Sequence, residues 1–330
     1  GGQPALADGA NRSSVHLAAS RGRAAVLKLL LANDPASHDA RASGLSPLHL
    51  AAAGDHVECV DALLEGGAAA TVDDAAVGEL TPVHLAAAQG SLSALNALLS
   101  AGAGATIAGQ RSKKQPLHMA CQHGRGNVVA ALLAAGADAN APDAHGSTPL
   151  HWACKAGSRD AVAMLLRAKA LPDAPSSTRS TPLHLACEAG SAPCASLLLK
   201  AHADPCAADS HGVTPLHAAS AVGSVPCVEL LFGESGVGRG GGADGAAKRV
   251  AEVANAAIHF EGSHESSGLR EKHTKGPLYL ASERGHAAVV ARLLEAGADV
   301  NALATIDTEH AATRTSAVWA AQRAGHSAVV

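Results

Sequence analysis

Histidine is the residue type that first suggests chemistry in this chain, because an imidazole can bind a metal ion or transfer protons near neutral pH. The sequence has 19 histidines in 330 residues, and seven recur in one short motif whose fullest form is Thr-Pro-Leu-His-x-Ala. Consecutive copies are separated by a nearly constant period. The motif histidines are His16, His49, His84, His118, His151, His184 and His217. Each therefore has the same place in a repeated unit.

The remaining candidates for chemistry are sparse. His259, His264 and His273 have a spacing that matches no metal-ligand pattern, and no cysteine lies near them. The chain has no CxxC pair, no phosphate-binding loop ending in Gly-Lys-Ser/Thr and no GxSxG motif. We therefore expect no catalytic residue, no metal site and no cofactor. The motif histidines are expected to hydrogen-bond backbone and threonine groups between repeats.

The motif also specifies the elements that hold the histidine. In the copy that begins at Thr148, this threonine is a favourable helix N-cap, and Pro149 follows at the first helical position. Gly157 is placed to end the short first helix. Apolar residues at helical spacing then predict a second helix, and an Asp/Gly-rich loop follows it. Each unit is therefore predicted to be helix, helix and projecting turn.

This pattern resembles the ankyrin repeat in its period and in its T-P-L-H-x-A signature. The resemblance covers about eight complete repeats and a truncated ninth. It implies an all-α solenoid of stacked helix-turn-helix units with projecting β-turn fingers. In this family the fingers and first helices form a concave groove that binds proteins, so a protein partner is implied and a catalytic pocket is not.

The repeat pattern is interrupted late in the chain. We assign repeats 1 to 7 to residues 1–232, an insertion to 233–275, and repeats 8 and 9 to 276–330. Tyr279 replaces the motif histidine in the copy after His217, which begins almost a full period late, and Trp319 replaces it in the following copy. Apolar spacing in the insertion predicts a short amphipathic helix from about Ala246 to Phe260. This helix could cover a neighbouring repeat, or it could dock a partner or occlude the groove.

Composition excludes several classes of function. The net charge is −4 and aromatic residues make up 2%, which argues against nucleic-acid binding through a basic field or base stacking. No apolar run is long enough to span a bilayer. Seven cysteines, mostly at repeated core positions, suggest buried thiols and a reducing intracellular compartment such as the cytoplasm or nucleus. The final repeat stops inside its second helix, so we expect an internal fragment of a larger protein.

The informative surface lies on the fingers and on the outer positions of the first helices. Basic residues recur at the finger tips, and they either form a solvated rim or a basic ridge that steers an acidic peptide or protein into the groove. Trp152 either anchors a partner or packs against the adjacent repeat. The candidate partner-binding residues are Arg111, Lys113, Lys114, Met119, His123, Trp152, Lys155, Arg179, Glu188, Lys272 and Lys275.

The predicted function is a non-catalytic scaffold or adaptor that binds a protein along this groove. Two alternatives remain open at this point. The chain could be the regulatory or targeting segment of a larger enzyme or channel, or an architectural subunit of a large assembly.

Overall fold

The structure is a computed structural model that describes residues 12–76, 79–237, 254–255, 258–263, 270–308 and 311–329. The chain divides into two compact units, Gly1–Ala170 and Leu171–Val330. We call them the N-terminal and C-terminal units. Each is built from paired antiparallel helices joined by loops, which confirms the all-α repeat fold predicted from the motif.

The N-terminal unit contains five helix pairs. Its first helices are Ser14–Ser20, Pro47–Ala53, Pro82–Gln89, Pro116–Gln122 and Pro149–Lys155. Its second helices are Ala24–Asn33, Val57–Glu65, Leu92–Ser100, Gly126–Ala134 and Arg159–Arg167. Two short 3₁₀ segments, Pro35–Asp39 and Ala68–Thr71, follow the first two pairs.

The C-terminal unit continues the same pattern. Its first helices are Pro182–Glu188, Pro215–Val222, Pro277–Glu283 and Ala317–Arg323, and its second helices are Ala192–Lys200, Val225–Val237 and Ala287–Glu295. Four strands lie between these helices: β1 (Ile258–Ser263), β2 (Arg270–Lys275), β3 (Leu303–Thr308) and β4 (Ala311–Ser316).

Local sequence explains where the short helices start and stop. Thr148 has extended backbone angles, as an N-cap requires, and Pro149 follows at the first helical position. The helix Pro82–Gln89 ends at Gly90, whose φ of 86° lies in the left-handed region that glycine adopts without steric cost. In the second repeat Asp55 takes the same left-handed conformation, with a φ of 55°.

Leucines supply the largest side chains of the core, and each short helix buries only a narrow stripe of residues. One fully buried leucine recurs on most first helices and another on most second helices, while alanines let the helices approach closely. The largest fully buried side chains are Leu27, Leu48, Leu63, Leu95, Leu98, Leu117, Leu132, Leu150, Leu165, Leu183, Leu198 and Leu216.

The four strands form one antiparallel sheet in the order β1-β2-β3-β4. β1 pairs with β2 and β3 pairs with β4 along their whole lengths, so two fingers are lengthened into β-hairpins. The hairpins are joined by a shorter pairing of β2 with β3, from Lys272 opposite Asp307 to Thr274 opposite Thr305. The sequence analysis did not predict these strands.

Asn255 reveals how the extra segment before Tyr279 is divided. Its side chain donates to the Gly297 carbonyl at 3.2 Å, as Asn140 does to the Lys169 carbonyl at 3.2 Å, so the two asparagines hold equivalent loop positions. Asn255 precedes Tyr279 by more than twice the separation between Asn140 and its own motif histidine, His151. Somewhat less than half of the extra segment therefore lengthens the finger into β1 and β2, and the rest lies before Asn255.

This register corrects the C-terminal end of the predicted helix from Ala246 to Phe260, of which Ala254 is helical. Its last residues, from Ile258 onward, belong to strand β1, and Asn255 lies in a turn. The physical reason is that the finger backbone pairs with β2, and sheet hydrogen bonds satisfy it as well as helical ones would. Residues 246–253 and 256–257 lie outside the described residues.

Candidate interaction surface

The motif histidines are held by the N-cap of their own helix. In the fifth repeat, His151 Nδ1 lies 3.0 Å from the Thr148 backbone nitrogen and 2.9 Å from its hydroxyl oxygen. The backbone N–H can only donate, so Nδ1 is an acceptor and the ring proton is placed on Nε2. The same arrangement recurs with Ser46 and His49, and with Thr81 and His84.

In five described cases Nε2 then links a repeat to the next one within the same unit. In four cases its partner is the carbonyl immediately before the following N-cap, and His118 instead reaches a carbonyl earlier in the finger. The pairs are His16 with Leu45 (3.2 Å), His49 with Leu80 (3.1 Å), His84 with Lys114 (3.0 Å), His118 with Ala141 (3.0 Å) and His184 with Val213 (2.9 Å). These histidines therefore act as framework residues.

Burial keeps these rings neutral. It lowers the pKa of His49 to about 4, and it is the largest cause that lowers the pKa of His84, His118 and His184. A neutral ring with both nitrogens engaged has no lone pair left for a metal. Within the described part of the chain, no group of three or more His, Cys, Asp or Glu side chains could hold a metal ion.

A row of half-buried side chains runs along the first helices at the position after each motif histidine. In the N-terminal unit the row consists of Leu17, Leu50, Leu85, Met119 and Trp152, and in the C-terminal unit it includes Leu185 and Ala218. The histidines beside them are all buried. We call these residues the first-helix row. They present an apolar surface that the core does not absorb.

Trp152 is the largest residue of the row, and its own finger fixes its ring. The indole Nε1 donates to Asp143 Oδ2 at 3.0 Å. Asp143 is buried, and its other oxygen accepts from the backbone nitrogens of His145 and Ser147 at 2.8 and 2.9 Å. One carboxylate thus orders both the finger turn and the indole. The hydrogen bond to Asp143 fixes the ring, and because the ring is only half-buried it is still accessible.

Two lysines approach this ring. Lys114 Nζ lies 3.6 Å from the ring centroid and donates to Gln122 Oε1 at 2.8 Å, and Lys155 Nζ lies 5.5 Å from the centroid. These distances are those of cation–π contacts. Burial lowers the pKa of Lys114, while the charge of Asp143 raises it and that of Lys155 lowers it. We call Lys114, Trp152 and Lys155 the lysine–tryptophan cluster.

The other predicted residues of the N-terminal unit surround this cluster or point away from it. Met119 belongs to the first-helix row, and His123 is exposed at the end of the same helix. Lys113 is exposed at a finger tip with a φ of 50°. Arg111 is 96% exposed, and Glu79 of the preceding finger accepts from its backbone nitrogen at 2.6 Å and lies 3.8 Å from its guanidinium.

The C-terminal unit holds the remaining predicted residues. Arg179 is an exposed finger tip with a φ of 60°, and Glu188 is exposed at the end of a first helix. Lys275 forms an ion pair with Glu283 at 2.9 Å and lies 5.2 Å from the Tyr279 ring. In β2, Lys272 pairs with Glu261 of β1 and Asp307 of β3 in the sheet register.

Intramolecular ion pairs therefore reduce the positive charge that the predicted basic ridge can offer to a partner. Arg41, a basic residue of an earlier finger, lies 2.6 Å from Asp74, and Arg111 and Lys275 also face carboxylates. Sequence reasoning missed Asp143 as the residue that positions Trp152. It also missed Glu79 as the partner of Arg111. The available signal was the period itself, because residues one period apart, such as Arg41 and Asp74, hold equivalent places on neighbouring fingers.

Comparisons with known proteins agree with this architecture. A family profile described as ankyrin repeats (3 copies) matches residues 15–108, 83–175 and 168–238, and an ankyrin repeat profile matches 276–304. The crystal structure of the human ASB11 ankyrin repeat domain is similar with a TM-score of 0.62 and 31% sequence identity. The match covers 69% of this chain and 100% of that one. No curated protein sequence matches.

Among the described residues, no helix combines the length and the apolar content that are needed to cross a bilayer.

Proposed function

Since this chain belongs to the ankyrin repeat family, whose repeats generally mediate protein–protein interaction, we propose that it is a non-catalytic scaffold or adaptor that binds a protein partner on its first-helix row and fingers. The partner lies across the lysine–tryptophan cluster of the N-terminal unit. The observation that carries this proposal is Trp152, a half-buried indole held rigid by Asp143 at 3.0 Å. Tryptophan is enriched among the residues that dominate the binding energy of protein interfaces.

The first-helix row supports the same proposal. Its side chains are apolar and half-buried, so a partner that covers them gains about 25 cal/mol for each Å² of apolar surface removed from water. Neutral framework histidines behind the row hold it in place without adding charge to it. The groove thus offers an ordered apolar floor, with basic residues such as Lys113 and Lys114 at its rim.

A reducing intracellular compartment, the cytoplasm or the nucleus, is part of this proposal. It is supported by thiols such as those of Cys59 and Cys121, which are buried and whose pKa is raised by that burial. Buried protonated thiols are typical of proteins that fold without disulfides.

Site-specific photocrosslinking in native extract tests the proposed surface. A photoreactive amino acid replaces Met119 in the first-helix row, and a matched variant carries it at Leu29. That leucine is 73% exposed on a second helix and is equally apolar. We expect the same protein to be crosslinked from position 119 and not from position 29, and the Trp152→Ala substitution to reduce the yield.

Equal crosslinking from both positions, or from neither, would refute the proposed surface. Stable and stoichiometric neighbours crosslinked on both faces would favour an architectural subunit of a large assembly over an adaptor. A single partner with enzymatic or channel activity would favour a regulatory or targeting role.

A further inference from the structure

We propose that the lysine–tryptophan cluster is a carboxylate-binding subsite, which takes an aspartate or glutamate side chain of an acidic peptide between Lys114 and Lys155 at the edge of Trp152. This inference rests on the proposed function, because it names the chemistry that the partner presents to this part of the groove.

Two lysines of the chain hold equivalent places before a first helix but meet different partners. Lys114 and Lys275 each stand immediately before a first-helix N-cap, and each reaches the residue eight positions ahead. Lys275 meets the carboxylate of Glu283 there at 2.9 Å, which balances its charge. Lys114 meets the uncharged amide of Gln122 at 2.8 Å. The charge of Lys275 is therefore balanced within the chain, whereas the charge of Lys114 remains available to an anion.

Neither lysine of the cluster has an ion-pair partner among the described residues. Asp143 is the acidic group whose charge raises the pKa of Lys114, but its two oxygens accept from the indole and from finger amides and form no ion pair with either lysine. Lys155 instead adds a like charge, which lowers the pKa of Lys114 after the larger effect of burial. A bound carboxylate would relieve this repulsion, so charge complementarity favours an anionic ligand.

The ammonium group of Lys114 is held in place by contacts within the chain. Lysine side chains normally lose considerable rotamer entropy when they bind a ligand. Here Lys114 is already positioned. Its ammonium lies 3.6 Å from the centroid of the Trp152 ring and donates to Gln122 Oε1. Its backbone carbonyl accepts from His84 at 3.0 Å. The cost of ordering this ammonium is therefore met before the ligand arrives.

The ligand class follows from the number and type of the donors. Two ammonium groups on one ring suit a single carboxylate, while nucleic acid needs an extended basic track and stacking aromatics. The chain carries a net charge of −4 and only 2% aromatic residues. An acidic peptide with apolar residues between its carboxylates matches both the cluster and the apolar first-helix row.

Fluorescence anisotropy with two defined peptides tests the subsite on the full chain. The probe is a fluorescein-labelled peptide of alternating Glu and Leu, and the comparison is the same peptide with Gln in place of Glu. We expect the Glu peptide to bind at least about tenfold more tightly, and its affinity to fall as the salt concentration rises.

The decisive variant is Gln122→Glu, which gives Lys114 the internal partner that Lys275 has. It should weaken binding of the Glu peptide by on the order of tenfold. The matched control is Asn127→Asp, which adds the same charge to a position on the second helix of the same repeat and should leave binding unchanged. Circular dichroism and thermal unfolding verify that both variants are folded.

Four results would overturn the carboxylate subsite: no preference for the Glu peptide, an unchanged affinity in Gln122→Glu, an equal loss in Asn127→Asp, or tighter binding of a single-stranded oligonucleotide that Gln122→Glu abolishes. If one of these occurs while position 119 still crosslinks a partner that depends on Trp152, the proposed function stands without the subsite. If crosslinking fails as well, both are refuted.

Discussion

Acidification should weaken this protein through its framework histidines before its carboxylates titrate. In the folded chain, Nδ1 of each ring accepts from an N-cap backbone N–H, as in the 3.2 Å contact between Ser46 and His49. A proton added to Nδ1 would face this donor and remove the acceptor. It would also place a charge in a site that is inaccessible to solvent. Folding is therefore coupled to the neutral state of these rings.

The sign and size of the effect follow from His49. Its pKa falls from an ordinary 6.5 to about 4, so between these pH values the unfolded chain binds more protons than the folded one. The contribution of His49 to the free energy of unfolding should therefore be level above pH 7, decrease as the pH falls through 6.5, and level off near pH 4. This one residue contributes about 1.4 kcal/mol of loss by pH 5.5 and about 3 kcal/mol by pH 4. His84, His118 and His184 act in the same direction.

Urea unfolding at pH 7.5, 6.5 and 5.5 measures this dependence, and hydrogen exchange at each pH locates it at the boundaries between repeats. The His49→Leu variant should be less stable at pH 7.5 but should lose less stability on acidification. Nitrogen chemical shifts should report the tautomer with the proton on Nε2. A free energy of unfolding that stays constant or rises from pH 7.5 to 5.5 would refute the reasoning, as would a His49 resonance that titrates near 6.5.

Three further substitutions test individual structural features. Lys113→Gly should raise the free energy of unfolding by about 0.5–1 kcal/mol, because a left-handed non-glycine residue costs roughly 1–2 kcal/mol and glycine returns part of this as unfolded-state entropy; urea unfolding measures it, and a decrease would contradict it. Asp143→Ala should cost about 1–3 kcal/mol, since it removes the charged acceptor of two part-buried finger amides and of the Trp152 indole, and the tryptophan emission should shift to longer wavelength. Unchanged emission would show that the carboxylate does not fix the ring. Asn255→Ala should cost about 1 kcal/mol and speed hydrogen exchange of the Asp299 amide, which donates to Asn255 at 2.7 Å; unchanged exchange would remove Asn255 from the loop register.

The helical framework was predictable from sequence because each of its determinants is local. An N-cap such as Thr148, the proline after it and a glycine stop act within one turn, and the period repeats the information in every unit. The lengthened fingers were not predictable in this way. Apolar spacing around Val253 and Ile258 fits a helix as well as a strand flank, and only the long-range bond from Asn255 to Gly297 establishes the register.

The candidate surface divides along the same line. The period and the family resemblance predicted Lys114 on a finger, and Trp152 and Lys155 on the outer side of a first helix. They did not predict the contacts of these residues, because whether a lysine pairs with a carboxylate depends on single residues such as Gln122 and Glu283, which occupy equivalent places with different charges. The period locates side chains, and the local residue type decides whether their charge remains available.

The hydrogen bond from His84 to the carbonyl of Lys114 joins two roles in one residue. The main chain of Lys114 is part of the boundary between the third and fourth repeats, and its ammonium lies over the Trp152 ring. Substitutions in the preceding repeat can therefore shift this ammonium without touching any ligand. In return, a ligand bound by Lys114 would stabilise that one boundary more than the others, since stability in a linear array is summed over neighbouring units. Binding at this point would thus stiffen the array locally.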